Sequence, residues 1–302
     1  MTALLHLLSP PLVGIFAVFF AIVWMLRDES DKSRPLLVLA LIFNLVYGWI
    51  FTTFLSRADS LLPYKYDFVL ARLDEALGVS AARIAPWLQG AWRPPLVIVY
   101  ELMIPMMIAW FFAVRDAGKR RSLVLAYIAE LVTGPLMYAL LPACGPVYAF
   151  GTQWLHPPQV PAQAIRLNGM PNAFPSLHMG TAFVLLLFAA GRRTRAVALL
   201  FLLATAAATI STGEHYCIDL VPGLAFGAYA AFAGAGDLRR ALFFLAIVVS
   251  WSLSVRFAGG WILASPMFLR SLEVATIACA SWAAYVIWKA APVATGELVP
   301  AA

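Results

Sequence analysis

The stretch FPSLHMGTAFVLLLFAAGRRTRAVALLFLLATAAATISTGEHYCIDLVPG, residues 174–223, contains the pattern that decides the fold. Two apolar runs flank the basic turn GRRTR, and a histidine stands at the outer end of each, His178 or His215. Apolar runs of about 20 residues are long enough to cross a bilayer as helices. The stretch therefore predicts a membrane hairpin that brings both histidines to one face of the membrane.

The composition of the whole chain agrees with a membrane protein. The 302 residues are 63% hydrophobic and only 12% charged, which is too little charge to cover a soluble surface. The sequence predicts an all-α polytopic membrane bundle, with a six-helix core and extra spans. The nine candidate spans are residues 8–26, 35–55, 95–114, 122–142, 175–190, 196–212, 216–235, 241–258 and 269–288. No Lys or Arg precedes Arg27, so the first run lacks the basic region of a cleaved signal peptide.

The basic residues predict the orientation. The connections RDESDKSR, RDAGKRR, GRRTR and GDLRR fall on alternate ends of the spans and, with Lys289, hold most of the Lys and Arg. Short basic loops stay in the cytoplasm. We therefore expect a cytoplasmic C-terminus, an outer segment 143–174 and an active site on the extracytoplasmic side, in a bacterial inner membrane. The net charge of +6 is explained by topology, so no nucleic-acid partner is expected.

The chain is expected to form one membrane domain, 1–302. Its parts are the N-terminal spans (1–60), an outer interfacial segment (61–94), the catalytic core (95–235), and the C-terminal spans with a tail (236–302). Within 61–94, Tyr66, Leu70, Leu73 and Leu77 share one helix face, which predicts an amphipathic helix in the interface plane. This helix either packs on the ends of the spans or forms a lipid-side wall of a site. Asp67 and Asp74 are expected on its solvated face, with contact to a lipid headgroup as the alternative.

The residues that could perform chemistry are His178, His215 and Asp219. Asp219 is four residues after His215, so both lie on one helix face, where the carboxylate can fix the imidazole tautomer and free the other nitrogen for attack. Pro175 suits the first turn of a helix, and Ser176 with the N–H groups there forms a natural phosphate seat. A His–Asp pair that only caps a helix, or a metal site with two histidines, are the alternatives. Because the seat suits an anion, we expect no metal and no cofactor.

These motifs resemble a known family. FPSLH followed by GEHYCIDLVPG resembles the type 2 phosphatidic acid phosphatase superfamily, which has a Pro-Ser-x-His motif and a later His-x-x-x-Asp motif. LPACGPVYAF, HYCID and YDFVLARLDEALG look closer to its inositol phosphorylceramide synthase and sphingomyelin synthase branch. The resemblance implies that His215 is the nucleophile, Asp219 its orienting partner and His178 the general acid.

The chain departs from the phosphatase pattern at its cations. Thr209 stands where the phosphatases usually have an Arg, and WRPP at 92–95 follows a proline, Pro86, where a Lys would fall. Arg166 is the candidate replacement because a guanidinium grips phosphate with two hydrogen bonds; an interfacial anchor is the alternative. Gly213 and Tyr216, beside His215, complete the candidate substrate-binding residues with Ser176. A Cys144–Cys217 bridge is left open.

The resulting hypothesis is a lipid phosphotransferase with a phosphohistidine intermediate, acting on phospholipid or sphingolipid substrates in the bilayer. A lipid-phosphate or polyprenyl-diphosphate phosphatase is one alternative. A transporter or scramblase that keeps the fold without chemistry is the other, although transporters place polar sites near the midplane rather than at one face.

Overall fold

The computed structural model describes residues 34–289, most of them in helices. The α-helices are α1 Arg34–Leu61, α2 Asp67–Leu77, α3 Ala81–Ile84, α4 Arg93–Glu101, α5 Met103–Ala113, α6 Ala117–Leu140, α7 Pro146–Phe150, α8 Leu177–Leu187, α9 Arg192–Thr212, α10 Cys217–Gly234, α11 Leu238–Ala264 and α12 Pro266–Lys289. Short 3₁₀ turns cover Ala85–Leu88, Gly90–Trp92 and Gly151–Gln153. The strands β1 Tyr64–Lys65 and β2 Ile165–Arg166 pair antiparallel, with Tyr64 opposite Arg166.

Five of these helices, α6 and α9–α12, are long and apolar enough to cross a membrane. They confirm the prediction of an all-α, multi-pass membrane protein. The predicted first span, 8–26, and the tail after residue 289 lie outside the described residues. The total of nine spans therefore stays a prediction.

The predicted span 95–114 is bent rather than straight. Helices α4 and α5 meet at Leu102 with a bend of 58° between the segments Gly90–Glu101 and Met103–Ala113. Pro105 is the physical reason, since it has no N–H for the carbonyl of Glu101 and its ring collides with that carbonyl. The bend leaves Tyr100 and Glu101 at a helix end, near the candidate site.

Helix α8 is shorter than the predicted span 175–190, and it lies at the centre of the bundle. Its residues from Met179 to Leu187 are all buried, and it packs against α6, α9 and α10. A helix enclosed by protein has no need to match the bilayer thickness, which explains its 11 residues. A Cβ at Gly227 of α10 would lie 2.4 Å from the Gly180 carbonyl oxygen, so the two backbones are in close contact.

Helix α2 confirms the predicted amphipathic helix and corrects its polar face. Leu70 and Leu73 are buried as expected, and α2 packs on α10, α11 and α12. Asp67 and Asp74 were expected in solvent, but both are buried. The prediction was wrong because both aspartates lie beside the apolar face that packs on the core, where their carboxylates accept from backbone N–H groups instead of water.

Candidate active site

His215 lies in the turn between α9 and α10, with both ring nitrogens engaged. Its Nδ1 is 2.9 Å from the carbonyl oxygen of Ala173 and 3.3 Å from Asp219 Oδ2. Since a carbonyl can only accept, Nδ1 carries the proton and Nε2 is the acceptor, 3.3 Å from Ser176 Oγ. The ring is buried, so the lone pair of Nε2 points into a confined space beside Ser176.

Asp219 controls the protonation of His215 as well as its tautomer. Burial lowers the pKa of His215, but Asp219, Glu214 and the carbonyl of Ala173 together outweigh burial, so the pKa is raised. Asp219 Oδ2 also accepts a hydrogen bond from Tyr216 N at 3.0 Å, which ties the carboxylate to the turn that carries the histidine. The ring and its orienting group are thus one rigid unit.

Ser176 and His178 come from the start of α8. Ser176 is the N-cap: its Oγ accepts from Met179 N at 3.3 Å, and its own N donates to the Asp219 carbonyl oxygen at 3.2 Å. The His178 ring is 5.8 Å from the His215 ring between centroids, at an interplanar angle of 71°. It stacks on Tyr100 with centroids 4.0 Å apart. Parallel α8 and α10 therefore bring both histidines to one end of the bundle, as the sequence predicts.

Asp67 of α2 accepts hydrogen bonds from two segments beside His215. Its carboxylate accepts from Cys144 N, from Gly145 N at 2.8 Å and from Tyr216 OH at 3.0 Å. Burial raises the pKa of Asp67 to about 6 against the opposing effect of these donors. One side chain thus joins the loop before α7 to the turn that holds His215.

Asp74, two turns along α2, holds the start of α10. Its carboxylate accepts from Cys217 N at 2.9 Å, Ile218 N at 2.8 Å and Ala81 N at 3.1 Å. These are N–H groups that a helix start leaves without intrahelical partners, and the helix dipole favours a negative charge there. Burial raises the pKa of Asp74 to about 7 despite these bonds. We call Asp67 and Asp74 together the carboxylate clamp.

Four polar side chains form an acidic rim above the histidines. Tyr148 OH donates to Glu214 Oε1 at 2.9 Å, and Glu214 interacts electrostatically with Tyr100 and Glu101. Burial raises the pKa of Glu214, while Tyr148 and His215 oppose this. Among the described residues, no Lys or Arg makes a hydrogen bond or ion pair with the rim or with either histidine.

The remaining predicted residues take different positions. Arg166 is exposed on β2 and shows no contact with the histidines in the described part of the chain, so its role stays a prediction. The Tyr216 hydroxyl is engaged by Asp67. Gly213 ends α9 in the left-handed conformation with φ 75°. Thr209 is buried and its hydroxyl donates to Ala206 O, and all three cysteines are free, so Cys144 and Cys217 are not bridged.

Three features of the site were missed by sequence reasoning. The carboxylate clamp was assigned to solvent, although two aspartates on the apolar side of a short helix were a signal for buried N–H partners. Tyr100 had no motif around it. Gly145 has φ 98°, and a Cβ there would lie 2.3 Å from the Glu214 carbonyl oxygen; the sequence offered only a Gly-Pro pair at this position.

Comparison with known families agrees with this geometry. A family described as the PAP2 superfamily matches residues 69–233, from α2 to the end of α10. The chain belongs to the PAP2 superfamily. The match contains both histidine motifs and most of α2, and it leaves α11 and α12 outside. Comparison with curated proteins and with solved structures gave no match.

Membership of the PAP2 superfamily supports a membrane phosphatase or phosphotransferase that acts on lipids. The arrangement fits that chemistry, because an imidazole whose unprotonated Nε2 meets only the Ser176 hydroxyl, a second imidazole and a helix start converge on one space. A phosphorus atom there could receive an attacking nitrogen on one side and release an oxygen on the other.

Proposed function

We propose that this protein is a lipid phosphotransferase that moves a phosphoryl-headgroup between lipids through a phosphohistidine at His215. The observation that carries the proposal is the hydrogen bonding of His215. Nδ1 is held by Ala173 O and Asp219, Nε2 accepts from Ser176 Oγ, and the His178 ring lies 5.8 Å away between centroids. A merely structural histidine would not need its unprotonated nitrogen directed at an N-cap serine beside another imidazole.

In the first step Nε2 of His215 attacks the phosphorus of a phosphodiester lipid. The N–P bond forms while the P–O bond to the leaving lipid alcohol breaks. His178 donates a proton to the departing oxygen, so the alcohol leaves neutral. Asp219 stabilises the positive charge on the His215 ring. Ser176 and the first N–H groups of α8 hold the negative charge of the phosphoryl oxygens.

In the second step a different lipid alcohol, the acceptor, binds where the leaving alcohol was. His178, now neutral, accepts the proton of the hydroxyl as its oxygen attacks phosphorus, and the N–P bond to His215 breaks. The histidines return to their starting states, and a new phosphodiester lipid is formed. Splitting the exchange into two displacements avoids a collision of two lipids at one phosphorus.

The negative charge of the acidic rim favours a phosphodiester lipid over a phosphomonoester lipid as the donor. A phosphomonoester dianion would meet Glu214 and Glu101 without a compensating Lys or Arg among the described residues. A phosphodiester carries a single negative charge, and a cationic headgroup would be attracted to Glu214 and to the rings of Tyr100 and Tyr148. We therefore infer a zwitterionic donor with an ammonium headgroup. A donor of this charge supports a phosphotransferase of the sphingomyelin synthase kind over a simple phosphatase, whereas an inositol phosphorylceramide synthase would use a phosphodiester donor whose headgroup has no positive charge.

The proposed location follows from the loop charges. The basic connections RDAGKRR, GRRTR and GDLRR, which the structure describes, lie at the end of the bundle opposite to the histidines, and this supports an active site on the extracytoplasmic face of a bacterial inner membrane. The substrates, phospholipid or sphingolipid, would reach it from the outer leaflet.

The decisive experiment incubates purified protein with phosphatidylcholine, phosphatidylethanolamine or phosphatidic acid, each with and without ceramide or diacylglycerol. Mass spectrometry then separates new diester lipid, free headgroup phosphate and inorganic phosphate. New diester lipid from the ammonium donors supports the proposal. Inorganic phosphate from phosphatidic acid alone would show a phosphatase instead. Lipid movement without any product would show a transporter.

A further inference from the structure

A second binding region lies at the end of the bundle opposite to the histidines. A cavity of about 280 Å³ opens where α6, α9 and α11 begin and where α8, α10 and α12 end. A larger one of about 890 Å³ continues from it between α11 and α12, and the two share Asp237 and Arg240. Helix α8 separates this region from the histidines by about 16 Å along its axis, at 1.5 Å per residue.

Cations dominate the smaller cavity. Lys119, Arg195 and Arg240 line it, and Asp237 is the only carboxylate among its described lining residues. Asp237 is already paired with Arg240 in an ion pair. Lys119 is half-buried, and its ammonium group has no hydrogen-bond or ion-pair partner in residues 34–289. The cavity therefore has an excess of positive charge, and the ammonium group of Lys119 lacks a hydrogen-bond acceptor among the described residues.

The two arginines are fixed in place by aromatic rings. The Arg195 guanidinium lies 4.4 Å from the Trp288 ring centroid, and its Nε donates to Ala189 O. The Arg240 guanidinium lies 5.7 Å from the Phe232 centroid and 5.8 Å from the Trp282 centroid. These contacts place both guanidinium groups beside aromatic rings and leave further N–H donors for an anion.

The larger cavity has a different lining. Phe243, Ala278, Cys279 and Trp282 make most of its wall, and Arg239 and Arg240 stand at one end. The larger cavity is an apolar groove along two membrane helices, and it ends in the cationic smaller cavity. An anionic lipid has the same two parts, because its apolar acyl chain is joined to a negatively charged headgroup. Arg240 belongs to both cavities, at the point where a glycerophosphate would join the two parts.

We propose that this region binds an anionic phospholipid from the leaflet opposite to the active site. The headgroup phosphate occupies the cavity of Lys119, Arg195 and Arg240, and one acyl chain occupies the groove between α11 and α12. The site is independent of the histidine chemistry, and its occupant is a resident lipid rather than a substrate. It would hold together the ends of helices that also carry the active site.

The test measures lipid preference by native mass spectrometry of the full chain in an equimolar mixture of phosphatidylglycerol and phosphatidylcholine. The wild type should retain phosphatidylglycerol preferentially. Lys119→Gln should reduce that preference about fivefold, the effect expected for one cation near an anionic lipid. Arg193→Gln is the matched control, because Arg193 is exposed on the same end and lines neither cavity. Equal retention of both lipids by the wild type, or equal losses in both variants, would overturn the proposal.

A second measurement identifies the occupant directly. The photoreactive residue p-benzoylphenylalanine replaces Phe188, which lines the smaller cavity. After irradiation in membranes that contain phosphatidylglycerol, an adduct with the mass of this lipid supports the proposal. An adduct with a peptide of the chain itself would show that the protein fills the cavity, and the proposal would fall.

Discussion

Removal of His178 and removal of His215 are expected to have different effects, because the proposed mechanism assigns proton transfer to one and attack on phosphorus to the other. His215→Ala removes the nitrogen that attacks phosphorus, so no phosphorylated protein should form with any substrate. His178→Ala removes the proton donor and should reduce turnover by about 10²–10⁴. A substrate with a nitrophenol leaving group needs no proton and should restore most of the His178→Ala rate. Rescue of His215→Ala by the same substrate would contradict the assignment.

Asp219 should set the acidic limit of activity. The pKa of His215 is raised chiefly by the Asp219 carboxylate, and attack requires a neutral ring. Activity is therefore lost as the pH falls through this raised pKa. Asp219→Asn removes the charge and should move the acidic limb of the kcat/KM profile to lower pH, while kcat drops by up to about 10⁴-fold because the carboxylate no longer orients the ring or stabilises its positive charge. An unmoved limb would show that another group sets it.

At the scale of single residues, the sequence predicts the cluster of His178, His215 and Asp219 better than it predicts the residues packed around this cluster. The i, i+4 spacing of His215 and Asp219 is a local property of a helix start, so it can be read from the chain. The stacking of Tyr100 on His178 and the burial of Asp67 and Asp74 depend on how distant segments pack. Amphipathic periodicity distinguishes apolar from polar side chains, but it does not distinguish a carboxylate in water from one that faces buried N–H groups.

Among the helices, α2 is expected to matter for activity although it does not reach the histidines. Asp74→Ala would leave the N–H groups of Ala81, Cys217 and Ile218 without their acceptor, at a cost of about 3 kcal/mol. We expect lower thermal stability in detergent together with a loss of turnover, because the start of α10 would no longer be held. Glu75→Ala is the matched control on the same helix, since Glu75 is partly exposed and pairs with Arg72. Equal effects of both substitutions would argue against the clamp.

The close packing of helix α8 against helix α10 leads to a second prediction at the scale of helices. Gly227→Ala would place a methyl group 2.4 Å from the Gly180 carbonyl oxygen, closer than any real contact, so the helices must separate. We expect a loss of stability of about 1–3 kcal/mol, the usual cost of overpacking, and reduced turnover because these helices carry Ser176 and His215. Gly260→Ala in α11 meets no atom within 4 Å and should be neutral or slightly stabilising. Thermal unfolding of both variants in the same detergent compares them.

The elements also show why hydropathy predicts spans but not their shape. Residues 95–114 form one apolar run, yet Pro105 divides it into α4 and α5. The run at 175–190 gives a helix of only 11 residues, because α8 is enclosed by other helices and does not need to span lipid. Composition identifies segments that avoid water. It contains no information on whether lipid or protein surrounds them.

For the whole molecule, the orientation in the membrane is the remaining testable prediction. The histidines lie at one end of the bundle and the turn GRRTR at the other, so the positive-inside rule places the active site outside. With a membrane-impermeant maleimide on intact cells, Gln153→Cys, in an exposed turn after α7, should be labelled. Arg193→Cys, exposed in the basic turn, should react only after permeabilisation.

The wild type reports the background from its three native cysteines, of which Cys144 is buried. The reverse labelling pattern would put the histidines in the cytoplasm. In that case the donor lipid would come from the inner leaflet, and the cationic cavity at the far end would face the outer one. The orientation therefore determines which leaflet supplies each of the two proposed lipids, while the chemistry at His215 stays the same.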